Sequence, residues 1–267
     1  MFNSTSKYWQ LFLITWQNGF VYPVSVFFWR LRQFLATFMA LTIWTVIFGS
    51  QQQAFGYSQP QMITYIFLTG LLQSIVLATI LGNLSEDIYT GKISYQLMKP
   101  MNMYVYLGIQ ELADKLKNIG FIFVETVILF LLFKPQIVFP NLEIFLFFLA
   151  TAILGAILMF VILLLFGTIG FWSPETWGPR FLFYMFLEFT AGKLFPLNIF
   201  PEVVQKIIFL TPFPYLSYAQ TQIFLGRYEG IDIFKTFISL FLWILVLGAS
   251  FLFLWRKGIK EYGALGH

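Results

Sequence analysis

Long intervals without a charged side chain dominate this sequence and restrict it to one environment. Residues 33–49, 62–82, 144–172 and 236–255 contain no Asp, Glu, Lys or Arg. A helix crossing a bilayer needs roughly 20 predominantly apolar residues, and each of these intervals approaches or exceeds that length. Two more qualify apart from isolated charges. Residues 118–133 carry Glu125 and extend into a more polar helix on their N-terminal side; residues 181–197 carry Glu188 and Lys193. Only 10% of the chain is charged, against about 25% in an average globular domain, too little to cover a water-facing surface. The expectation is an all-α polytopic membrane protein with six transmembrane helices.

Lys and Arg accumulate on the cytoplasmic side of short loops. With six spans, eleven of the 16 fall on the side of the two termini, among them Lys7, Arg30, Arg32, Lys92, Lys99, Lys115 and Lys117. Both termini are therefore expected in the cytoplasm, and no signal peptide is expected at Met1–Gln10. Residues 1–30 read as an interfacial helix: Lys7, Gln10, Gln17 and Asn18 share one arc, with Trp9, Phe12, Leu13, Trp16 and Phe20 opposite. An ordinary packed amphipathic helix is the alternative. Pro23 opens the next helix, and Arg30 and Arg32 anchor the inner end of the first span.

Two connections stand out. Residues 86–117 concentrate the charge: Glu86 and Asp87 suit a helix N-terminus, Gly91 permits a bend, and Pro100 stops what precedes it. This stretch is either an amphipathic elbow that docks a soluble partner through Ile93, Tyr95 and Leu97, or a solvated loop. Residues 198–232 are rich in Pro and aromatics. They are expected to form an outer re-entrant hairpin partly embedded in the membrane, with a helix from Glu202 to Leu210 and another from Tyr215 to Leu225. A small folded cap is the alternative. In the second span Gly70, Ser74, Ala78 and Gly82 recur at every fourth residue, a spacing that lets helices approach closely within one chain or across a dimer.

The chemistry of the chain is sparse. It has no Cys and a single His, His267, which removes disulfides, thiolate metal sites and His-centred triads. No phosphate-binding loop, nucleophile elbow or zinc-protease motif is present. The chain reads as no enzyme, holding no cofactor or metal and binding no nucleic acid. Glu125 and Glu188 fall inside predicted spans, where ionisable groups face a cavity or a partner; each is a candidate for a polar pathway or for a structural bond. Lys193 reaches the interface and is given no role.

The residues from Asp87 through Gly91-Lys92, Leu97 and Lys99-Pro100, together with Ala191-Gly192, Phe195-Pro196, Pro201, Pro212, Tyr215 and Leu225-Gly226, resemble the type-2 ATP-binding-cassette (ABC-2) export permeases. The resemblance covers essentially the whole chain and is closest to the bacterial permeases that accompany a separate ATPase. It implies a permease subunit in the bacterial inner membrane, paired with a second copy or a related permease. Separate ATPase subunits, binding ATP and Mg, would dock on the elbow at Glu86, Asp87, Gly91, Lys92, Tyr95, Leu97, Lys99 and Pro100. It also implies a substrate path lined by spans two and five, which raises Gly70, Ser74, Ala78 and Glu188 as pathway residues; the acid in span five departs from the family pattern. An aromatic, nearly chargeless lining suits an amphipathic or lipid-like cargo. The alternative is a proton-coupled secondary transporter using Glu125 and Glu188.

Overall fold

The computed structural model describes residues 4–49 and 53–262; His267 lies outside them. The fold is helical, with one two-stranded antiparallel hairpin, β1 (Gln53–Ala54) and β2 (Tyr57–Ser58). Among the described residues five helices are long and apolar enough to cross a membrane. They are α2 (Pro23–Phe48), α3 (Gln59–Leu72, prolonged by a π turn over Gln73–Leu77), α6 (Met103–Phe133), α7 (Leu142–Gly167, prolonged by a 3-10 turn over Thr168–Phe171) and α11 (Ile231–Glu261). Their starts are encoded locally. Pro23 occupies the first turn of α2, where its missing N–H costs nothing. Ser58 and Gln61 form a reciprocal capping box on α3. The Asn102 and Asn141 side chains accept the first free N–H groups of α6 and α7.

Several boundaries differ from the sequence expectation. The interfacial helix expected over residues 1–30 is α1 (Ser4–Asn18), which packs along the first half of α6. Residues 23–30 belong to α2, so Arg30 sits inside that helix rather than at the end of a span beginning at Gln33. The second half of the expected 86–117 connection is helix, because α6 runs unbroken from Met103. The second span does not reach residue 82: α3 stops at Leu77 and Ala78 turns extended, so Ala78 leaves the helical stripe that holds Gly70 and Ser74. The expected fifth span over 181–197 is α8 (Trp177–Thr190), 14 residues long. That length is about 21 Å, short of a ~30 Å hydrocarbon core. Gly192, in a left-handed conformation at φ 71°, then turns the chain before Pro196.

The core lies where α7 meets α11 and the π turn of α3, centred on Leu72, Val76, Leu158, Met159 and Leu240. A second cluster joins α2 and α3 to the hairpin through Leu41, Tyr57, Met62 and Tyr65. Between α8 and α11 run α9 (Glu202–Phe209) and α10 (Tyr218–Phe224). Every residue of α10 is buried, including Gln220 and Gln222. The Gln222 amide donates to the Tyr57 hydroxyl at 2.6 Å, and Gly155 of α7 leaves the space that Gln220 fills. α9 instead exposes Val203 and Ile207, and Leu210 just past its end is exposed too.

Candidate coupling elbow and the joint beneath it

After α3 breaks, the chain forms two short helices, α4 (Leu84–Tyr89) and α5 (Lys92–Leu97). Glu86 and Asp87 sit in the first turn of α4, and Gly91 joins the two helices at φ 81°, a value that glycine adopts without strain. Lys92 lies 3.7 Å from Asp87. Burial pushes the Asp87 carboxyl above its usual range, an effect that Lys92 only partly opposes. Lys99 stacks over the rings of Tyr95 and Tyr106 at 5.3 and 4.9 Å. Tyr89, Tyr95, Leu97 and Met98 are exposed, as are Glu86, Lys92 and Pro100. Ile93 corrects the expectation of a docking side chain: it is fully buried beneath the elbow.

The elbow is tied to distant parts of the chain. The Tyr262 hydroxyl donates to the Ile88 carbonyl at 3.1 Å and accepts from Ser94 at 3.3 Å, linking both short helices to the end of α11. Arg180 at the start of α8 donates to Asn83 at 2.8 Å, and Lys7 of α1 donates to the Pro100 carbonyl at 2.8 Å. Below α7, a Cβ on Gly170 would collide with the Ser85 carbonyl, and one on Gly167 with the Leu84 side chain. Glycine at these two positions lets α4 lie directly on the 3-10 turn. Phe171 of that turn packs in turn against Trp255, Tyr262 and the Gly258 backbone.

The break in α3 has its own chemistry, which sequence inspection missed. A helix end leaves its last carbonyls unpaired, and inside a membrane water does not satisfy them. Lys115 of α6 reaches the carbonyls of Ile75, Val76 and Ala78 at 2.9, 3.2 and 2.9 Å, and Glu111 at 3.0 Å. The other Glu111 oxygen accepts from the Thr79 hydroxyl at 2.8 Å and from the Ile80 N–H at 3.2 Å, while Thr79 caps the Leu81 N–H. The cation therefore serves the carbonyl end of the upper helix, and the anion serves the amide start of the lower one. This capture is why the second span ends early. A visible signal existed: an acid and a base four residues apart, Glu111 and Lys115, in the polar first half of α6.

The intramembrane acids are both paired. Glu125 lies 3.3 Å from Arg30 of α2, each side chain 11% exposed, and Arg30 also reaches the Asn118 carbonyl and the Ser74 hydroxyl. Glu188 of α8 meets Lys193 at 2.6 Å, so Lys193 is a partner rather than a bystander. Gly70 faces Thr37 of α2, which together with the Arg30 contact places Gly70 and Ser74 in packing within the chain. Among the described residues no cluster of three His, Cys, Asp or Glu is placed to hold a metal ion.

A model of the ABC-2 family transporter proteins matches residues 34–266. The chain belongs to that family. A search of curated proteins finds no match. As an ABC-2 permease it is a membrane component of an ABC transporter, of a kind that lacks ATPase motifs and works with ABC ATPase subunits. The elbow of this permease exposes Tyr89, Tyr95, Leu97 and Met98 and is bonded to α1, α8 and α11. Gly70, Ser74 and Glu125 sit where α2, α3 and α6 meet, and Glu188 lies on α8, paired with Lys193.

Proposed function

We propose that this permease is one half of an exporter in the bacterial inner membrane, with both termini cytoplasmic, and that separate ATPase subunits dock on the elbow formed by α4 and α5. The observation that carries the reading is that the elbow exposes apolar side chains and is also bonded to the helices around it. Tyr89, Tyr95, Leu97 and Met98 are exposed around α4 and α5, a composition suited to a protein partner's apolar pocket. The bonds to α1, α8 and α11 and the close packing on the end of α7 would pass any push to four helices. ATP and Mg belong to the partner. A second permease copy or a relative would complete the pathway, and α8, with Phe181, Leu182, Phe186 and Phe189 exposed, offers an apolar face for it. An amphipathic or lipid-like cargo suits spans whose acids are both neutralised by neighbouring cations. The same pairing weighs against a proton-coupled carrier, since neither carboxylate is without a cation.

The test is purification in mild detergent, identification of co-eluting chains, and an ATPase assay on the complex. Tyr95→Ala with Leu97→Ala is expected to reduce ATPase retention at least tenfold while leaving the permease's elution unchanged. Undiminished retention, or solute movement in vesicles by the permease alone on an ion gradient, overturns the reading.

A further inference from the structure

A slot of about 510 Å³ lies between α6 and α7, floored by Leu72 and Ile75 of α3. Its walls run from Gly108 to Ile119 on α6 and from Phe148 to Phe160 on α7, so its length is about 17 Å at 1.5 Å per residue. The volume is within the ~300–1,000 Å³ usual for ligand clefts, and the lining is aliphatic and aromatic except at Glu111 and Lys115. The rim residues Leu112, Leu116, Ile153 and Ile157 are exposed, so the slot opens sideways from the membrane-spanning helices.

We infer that this slot seats one hydrocarbon chain of a lipid from the surrounding bilayer. Three observations select that occupant. The length is close to the ~15 Å depth of one leaflet's hydrocarbon, half of a ~30 Å core. Its exposed rim of Leu112, Leu116, Ile153 and Ile157 opens it sideways, toward the hydrocarbon that surrounds the spans. The charges available are already spent: Lys115 is surrounded by four oxygens and Glu111 by a cation, a hydroxyl and an amide. The walls therefore call for an uncharged guest. A chain lying there covers the Lys115–Glu111 joint and keeps water from competing for the carbonyls of the broken helix. The inference concerns lipid of the membrane itself and stands whether or not the cargo is lipid-like.

The experiment uses the full chain in vesicles of phosphatidylethanolamine and phosphatidylglycerol doped with a phosphatidylcholine that bears a photoactivatable diazirine in mid-chain, with adducts mapped by mass spectrometry. Labelling of residues 108–119 and 148–160 is expected to exceed that of the exposed face of α11 (Phe241, Leu245, Phe253) several-fold. Filling the slot by Ala156→Phe, or independently from the other wall by Leu112→Phe, is expected to remove that excess and leave α11 unchanged. Labelling no higher than on α11 marks ordinary lipid contact and overturns the inference. So does a photoproduct or engineered cysteine link joining Ile157 of two copies, which would place a second chain on the slot. The wild-type map decides even if a filled variant fails to fold.

Discussion

Of the three largely buried ion pairs on α6, Lys115–Glu111 and Arg30–Glu125 do different work. Fourteen residues separate Glu111 from Glu125, and each acid meets a cation within 3.3 Å. At the lower pair the cation is spent on backbone: Lys115 serves three carbonyls that the break in α3 releases. At the upper pair the cation is spent on neighbouring helices, since Arg30 meets a carboxylate, a hydroxyl and one carbonyl across α2, α3 and α6. The residue types suit the tasks. An ammonium directs three rotatable donors at converging carbonyls, whereas a guanidinium is a planar fork matched to a carboxylate and stacks on rings; Arg30 lies 4.9 Å from the centre of the Phe121 ring. A membrane acid–base pair thus does not have one meaning: one here replaces missing helical bonds, the other fastens helices that are already complete.

The contrast sets an order of expected damage. Lys115→Met strips a cation from a carboxylate and three carbonyls together, and removing one partner of a buried pair costs ~3–5 kcal/mol; thermal unfolding in detergent should show the largest fall of the series. If Lys115→Met melts no lower than the Arg30 variant, the two pairs are equivalent and the distinction fails. Arg30→Met should cost less, near the lower end of that ~3–5 kcal/mol range, because beside the carboxylate it frees one carbonyl rather than three. Replacing both partners, Arg30→Met with Glu125→Leu, should recover most of that loss, since well-packed apolar residues often substitute for a buried pair. The matching Lys115→Met with Glu111→Leu should not recover, because the freed carbonyls and the Ile80 N–H remain. Smallest of all, Glu188→Gln should shift stability by about 0–1 kcal/mol, as its side chain is 28% exposed and its pair with Lys193 is closer to a surface one. A loss there as large as at Arg30 would mark α8 as more deeply packed than its exposed aromatic face indicates.

The positions of the long helices were legible in the sequence because charge-free intervals and Pro23 are local signals. The elbow was legible in outline: Glu86, Asp87, Gly91 and Pro100 are local signals for a bent helical stretch, with a solvated loop as the alternative. Its ties to Tyr262, Arg180 and Gly170 are not local. What stayed hidden was non-local. The stripe Gly70, Ser74, Ala78 and Gly82 reads as one helix face until Glu111, some thirty residues on, captures the Thr79 hydroxyl and Ile80 N–H. Lys115 was legible only as a count on one side of the membrane, and Arg30 only as an anchor, because distance along the chain does not reveal which carbonyls or carboxylates they meet. Ile93 looked like an accessible side chain since a short amphipathic helix does not announce which face it buries.

The interruption of α3 also bears on how force would travel. A continuous rod would carry any tilt of the elbow straight upward into Gly70 and the hairpin. A rod cut at Ala78 and rejoined through side chains behaves as a universal joint: rotation below it is absorbed, and the rigid path runs sideways through Ser85 and Gly170 into α7. The second span can then stay parked against α2 while its neighbours swing.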